Sequence, residues 1–166
     1  MLKLLKNRKQ EGFTIIEVLI VLAIAGLIIA IVLFAVPALQ RNGRNTAIKN
    51  DANTIAGQVG DFASNNDGAF PTAITAPNGV LTITGAAGST PTTGKIQAGT
   101  TVTSVTSAPA ATAPVVGTIN VWLGHKCEGA TGAFTPGSAG LASARSVAIY
   151  YSIESSGATA QKCIDG

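Results

Sequence analysis

The chain has 166 residues, of which 46% are hydrophobic, 5% aromatic and 11% charged, and its formal net charge is +3. That length leaves room for one modest domain beside a membrane segment. The positive excess does not describe a nucleic-acid-binding surface. Lys3, Lys6, Arg8 and Lys9 against Glu11 account for all of it, and residues 13–166 hold seven basic and seven acidic side chains, so nucleic acid is not expected as a direct ligand.

Residues 1–12 are short, polar and basic, a flank that keeps the N-terminus on the cytoplasmic side and sends the rest outwards. Residues 13–39 are apolar, broken only by Thr14, Glu17, Gly26 and Pro37. The nineteen residues from Val18 to Val36 carry no charge; as a helix they span ~28 Å, close to the hydrocarbon thickness of a bilayer. Glu17 stands at the start of this run, where a carboxylate is unfavourable and so calls for a use elsewhere. Gly26 and Pro37 are the expected weak points: Pro37 has no N–H for the carbonyl of Leu33, which predicts a kink or local melting there.

Residues 40–66 continue the helix with a different character. Ile48, Ala52, Ile55, Val59 and Phe62 step by four and three along one face, whereas Lys49, Asn50, Asn53 and Gln58 fall largely elsewhere. The run "SNNDGAFP" ends it. Such a helix is about 80 Å long, far more than a membrane requires.

Residues 67–115 change composition. Of the 47 residues from Gly68 to Pro114, 36 are Gly, Ala, Thr, Pro or Ser, and Lys95 is the only charge. This predicts surface loop and short strand, with "VLTIT" at 80–84 and "GTTVTSVT" at 99–106 as the strands. The Ser, Thr and Pro content also allows O-glycosylation.

Residues 116–166 hold the better strands: "GTINVWLG" at 117–124, "SVAIYYSIE" at 146–154 and a short one around "AQKCI" at 160–164, with the Gly-rich "EGATGAFTPGSAG" between the first two. Val147, Ile149, Tyr151 and Ile153 alternate with Ala148, Tyr150, Ser152 and Glu154. Clean alternation predicts a sheet covered on one face and exposed on the other, with the Ile48–Phe62 stripe as the cover. The two cysteines, Cys127 and Cys163, lie in the part sent outwards, where an even pair reads as one disulfide. No CxxC or histidine pair supports a metal instead, and neither metal nor cofactor is expected.

"EGFTIIEVLIVLAIAGLI" closely resembles the class III signal of type IV prepilins, and its short leader and Phe after the glycine resemble the type IVa subgroup. In that pattern a basic leader ends in Gly12; Phe13, three small or apolar residues and Glu17 follow, and then an apolar helix. The resemblance implies an α+β type IV pilin fold: a long N-terminal helix, hydrophobic then amphipathic, on a small antiparallel sheet. It implies cleavage between Gly12 and Phe13 by a prepilin peptidase, whose methyltransferase activity then N-methylates Phe13. It further implies that Glu17 pairs with the Phe13 amine of a neighbouring subunit and sets the stagger of a helical homopolymer. The partners implied are the peptidase, membrane lipid before assembly, the pilus assembly platform with its ATPase motor, and other copies of the chain. The place implied is the inner membrane, crossed once, and then an extracellular filament serving adhesion, twitching motility or DNA uptake. Pseudopilins of type II secretion share this N-terminus.

Two other readings compete. A secretory signal peptide cut after Ala38 conflicts with the length of the apolar run and with Glu17; a plain single-pass anchor leaves the glycine–phenylalanine–glutamate spacing as coincidence. Catalysis has little support, because His125 is the only histidine and no GxSxG, HExxH or P-loop pattern occurs. His125 reads as an ordinary loop residue, and Trp122, Tyr150 and Tyr151 as core or sheet-face residues. A basic patch of Lys126, Arg145 and Lys162 at the tip is the remaining candidate surface. The chain is expected to be a structural protein, not an enzyme.

Overall fold

The structure, a computed structural model, describes residues 12–97, 99–105, 114–127, 145–155 and 158–166. The basic leader up to residue 11, Thr106 of the second predicted strand and the Gly-rich linker from residue 128 lie outside the described residues.

The main helix, α1, runs from Ile15 to Asn65, 51 residues with Pro37 inside. Local melting at Pro37 is not seen, and helix continues through Gly26 and Pro37. Proline removes a single donor from the ladder, and the apolar turns on either side keep theirs. The chain divides into two compact units, residues 1–40 and 41–166. In the first, every described residue from 12 to 40 is exposed.

The second unit is α+β. Its part of α1 buries Ile48, Ala52, Ile55, Val59 and Phe62, the stripe that helical spacing singles out, and Asp51 with them. Among the described residues seven strands follow: β1 (Ala73–Thr75), β2 (Val80–Thr84), β3 (Thr92–Lys95), β4 (Thr101–Val105), β5 (Thr118–Leu123), β6 (Val147–Ser155) and β7 (Ala158–Asp165), with a 3-10 turn at Pro77–Gly79. They form two sheets, β1-β2-β3 and β4-β5-β6-β7. All pairs are antiparallel except β4 with β5, which is parallel, Thr103 opposite Asn120. The single small antiparallel sheet of the expectation is therefore two sheets, one of them mixed. They meet where the Ile74 N–H donates to Ser104 Oγ at 3.2 Å.

The Thr/Ala/Gly-rich region is less peripheral than its composition predicts. Ile74, Leu81, Ile83 and Ile96 enter the core beneath α1. Two glycines make room for the helix. A Cβ at Gly85 would lie 2.6 Å from Phe62 Cζ, and one at Gly94 would lie 3.1 Å from Gln58 Cγ. β1 and β3 are not evident in the sequence because runs of three or four residues, Ala-Ile-Thr and Thr-Thr-Gly-Lys, carry too little pattern.

The exposed outer face expected of the second C-terminal strand is not observed over most of β6. Val147 to Ser152 are buried on both faces. Ile149 and Tyr151 join Ile119 and Val121 under α1. On the other side Trp122, Ala148, Tyr150 and Cys163 form a second cluster with Val105 and Cys127. The Trp122 and Tyr150 rings lie 4.0 Å apart, tilted by 47°, and the Ser152 hydroxyl donates to Pro114 O at 2.5 Å.

Two polar side chains of α1 and one just past its end tie the helix to chain far away in sequence. Asn45 bonds both backbone groups of Glu154, donating to its O at 2.7 Å and accepting from its N–H at 2.7 Å. Asn66, just past the helix, does the same to Thr90, at 3.0 and 2.6 Å. Each amide takes the place of a strand partner for backbone that would otherwise go unpaired. Asp51, 6% exposed, accepts from the Gln97 N–H at 3.0 Å and from the Thr100 hydroxyl, so its buried side chain is hydrogen-bonded and joins the helix to Gln97 and Thr100 ahead of β4.

Beside Asn45, Arg44 grips the Glu154 carboxylate with Nε at 2.8 Å and Nη2 at 2.7 Å. These bonds, with the charges of Arg44 and Arg41, hold the Glu154 carboxyl below its ordinary range. A carboxyl with a lowered folded-state pKa stabilises the fold above the ordinary value, about 4.3, and that contribution disappears as the pH falls through the lowered value. Arg44 is largely exposed, so the effect is small and salt-sensitive. In thermal melts the wild type should exceed Glu154→Gln in midpoint at pH 7, and the gap should close in acid below the ordinary glutamate range. A gap that stays constant down to pH 3 would refute this.

Candidate functional site at the helix N-terminus

Gly12, Phe13 and Thr14 are not helical, and α1 begins at Ile15. Thr14 and Glu17 explain why. The Glu17 N–H donates to Thr14 Oγ1 at 3.3 Å. In return Glu17 Oε2 accepts from the Thr14 N–H at 2.9 Å and from its hydroxyl at 2.7 Å. This is a reciprocal capping box, with Thr14 as N-cap and Glu17 as the third helical residue. Its spacing, T-x-x-E, is in the sequence, where it overlaps the pattern that implies a neighbouring subunit's amine as the partner of Glu17. Glu17 also sits in the first turn, where a negative charge opposes the helix dipole favourably. The carboxylate therefore has partners within its own chain, while Oε1 takes no part in these bonds.

Around it the surface is apolar. Phe13 is 88% exposed, and it borders a shallow hollow of about 170 Å³ with Glu17, Val18, Val21 and Leu22. The exposure continues along the helix through Ile24, Ile28, Ile31 and Leu39. So long an apolar surface is not stable in water, and it requires lipid or other apolar helices around it. The helix is long and apolar enough to cross a membrane. Beside Gly26 there is open space where a side chain would stand, so another helix could approach closely there.

The remaining candidates fall elsewhere. Cys127 and Cys163 are joined by a disulfide with Cα atoms 5.8 Å apart, and the Cys127 N–H donates to Asp165 Oδ1 at 2.7 Å. His125 is buried in the loop after β5, its Nδ1 2.9 Å from Leu123 O; a carbonyl only accepts, so that nitrogen carries the proton. The basic tip patch divides. Lys126 and Arg145 flank the β5–β6 end, but Lys162 lies opposite Tyr151, four residues along β6 from Val147, or about 13 Å at the usual strand rise. Among the described residues no three His, Cys, Asp or Glu side chains gather as a metal site requires.

Residues 7–35 match the family described as the prokaryotic N-terminal methylation motif. No curated protein and no solved structure matches the chain. The match covers the end of the leader, Gly12, Phe13, the capping box and most of the apolar run, and it supports an N-terminal signal of the prepilin kind. More particularly, the chain carries a type IV prepilin-like class III signal ahead of an α+β body consistent with the type IV pilin fold. That combination supports a type IV pilin-like or pseudopilin protein, anchored in a membrane by its apolar helix before assembly.

Proposed function

We propose that the chain is the structural subunit of a type IV pilus and not itself an enzyme. The single observation that carries this reading is the coincidence of the methylation motif at residues 7–35 with an apolar helical segment exposed at every described residue up to 40. A prepilin peptidase removes residues 1–12 and methylates the new Phe13 amine. The subunit then waits in the inner membrane until an assembly platform and its ATPase motor move it into a helical homopolymer. There the helices from residue 13 to 39 bury one another's apolar surface, and the two sheets with their disulfide face outwards. A pilin is favoured over a pseudopilin because the chain has a disulfide and a long Thr/Ala/Gly-rich region. Glu17 pairs with the Phe13 amine of a neighbour, since a slip of one register would strand both charges in a low-dielectric bundle. Adhesion, twitching motility and DNA uptake are properties of such a filament.

The test is the intact mass and N-terminal peptide of the chain from its own cell. The expected chain begins at Phe13 and is heavier by one methyl group. A chain beginning at Leu39 would replace this reading with a secreted domain, and one beginning at Met1 with a plain membrane anchor.

A further inference from the structure

A peptidase needs the carbonyl carbon of the bond it cuts open to attack, with the chain around it free of helix. In a bilayer the opposite tendency is strong, because backbone groups without water are satisfied best by helix. Something therefore has to stop α1 before it reaches Gly12–Phe13. Pro37 and Gly26 are too far along, and the residues after Thr14 are two isoleucines, which have no capping group. The stop is at Thr14. Its hydroxyl takes the N–H of Glu17, its own N–H and O–H go to Glu17 Oε2, and helix begins one residue later.

We propose that Thr14 is a positioning residue for processing: as N-cap it sets where the helix begins, and so keeps the Gly12–Phe13 bond in non-helical chain. The proposal rests on the reading of Gly12–Phe13 as the bond that is cut. Thr14 touches no reacting atom and acts through the helix start alone. Without its hydroxyl the next acceptable cap towards the N-terminus is Gly12, because glycine is tolerated at that position. A helix begun there takes Phe13 as its first residue, and the scissile bond becomes part of the cap.

The experiment follows processing of the full-length chain in membranes that contain an active prepilin peptidase. The rate is read from the masses of the uncut and cut forms, for the wild type and for Thr14→Val, Thr14→Ser and Thr14→Asn. Valine keeps the shape of threonine without the hydroxyl; serine and asparagine are good caps of different shape. Thr14→Val should be processed roughly five-fold more slowly, the population shift that a typical N-cap produces, while Thr14→Ser and Thr14→Asn stay near the wild-type rate. Wild-type speed for Thr14→Val would overturn the proposal. So would equal slowness of all three variants, since the peptidase would then be reading threonine itself. A wild-type chain left uncut would instead remove the reading of the cleavage site, a result distinct from any difference among the variants.

Discussion

Glu17→Val should insert into the membrane and be cut between Gly12 and Phe13, yet form no filaments. Insertion should be unaffected because valine extends the apolar run, removing a group that is unfavourable by about 2–3 kcal/mol near the bilayer centre and by less near its edge. Cleavage should persist because the backbone N–H at position 17 remains, and it is this N–H that the Thr14 hydroxyl accepts. Assembly should fail because the amine of each processed chain would enter an apolar bundle with no carboxylate to meet it, at a cost of several kcal/mol. The capping box adds a second variant to the test. Glutamine also closes a capping box, so Glu17→Gln keeps the local bonds and loses only the charge. If Glu17→Gln assembles like the wild type, the residue acts as a cap and not as a partner for an amine. Filaments from Glu17→Val in normal numbers would defeat the pairing outright. Electron microscopy of sheared surface material, with the cut and uncut masses measured on the same cells, reads all three properties.

The second large effect is expected of Cys127→Ser. The disulfide closes a loop with a sequence separation of 36, which on the chain-entropy account is worth about 4 kcal/mol. Small domains are stable by only about 5–15 kcal/mol, so the loss is a substantial fraction of the total. β7 pairs with β6 along one edge, and the disulfide ties it from the other side to the loop after β5. Both cysteines pack against Trp122 and Tyr150, so freeing β7 opens that cluster. Cys127→Ser should lower the thermal midpoint by many degrees, speed proteolysis between β5 and the C-terminus, and change the Trp122 fluorescence, with membrane insertion untouched. Unchanged midpoint and protease resistance would show that the bridge adds nothing to the fold.

The parts of the molecule that sequence reading reaches are those whose signal is local. The helix stripe from Ile48 to Phe62 follows from a spacing of three and four, β5 and β6 from apolar alternation within one strand, and β2, β4 and β7 from short runs of strand-forming residues. The Gly12–Phe13–Glu17 register is local too. What escaped depended on partners distant in the chain. Asn45 and Glu154 are 109 residues apart, and Asp51 and Thr100 are 49 apart. Nothing around Asp51 marks it as the one buried carboxylate of the helix, because its burial is set by the turn folded over it. The capping box is the exception. Its two residues are three apart, and its pattern was legible but hidden by the stronger pattern that overlaps it.

Sequence alone was enough for the class III signal, the two-natured helix and the α+β composition, because each is written in charge and hydrophobic period over a few turns or one strand. Tertiary structure decided the rest. It divided the strands between two sheets, set β4 parallel to β5, covered the outer face of β6 and brought Arg44 to Glu154. Pairing direction and burial depend on which surfaces meet: Ala148, Tyr150 and Ser152 alternate with the core face of β6 as an open face would, yet they are buried because distant chain covers them.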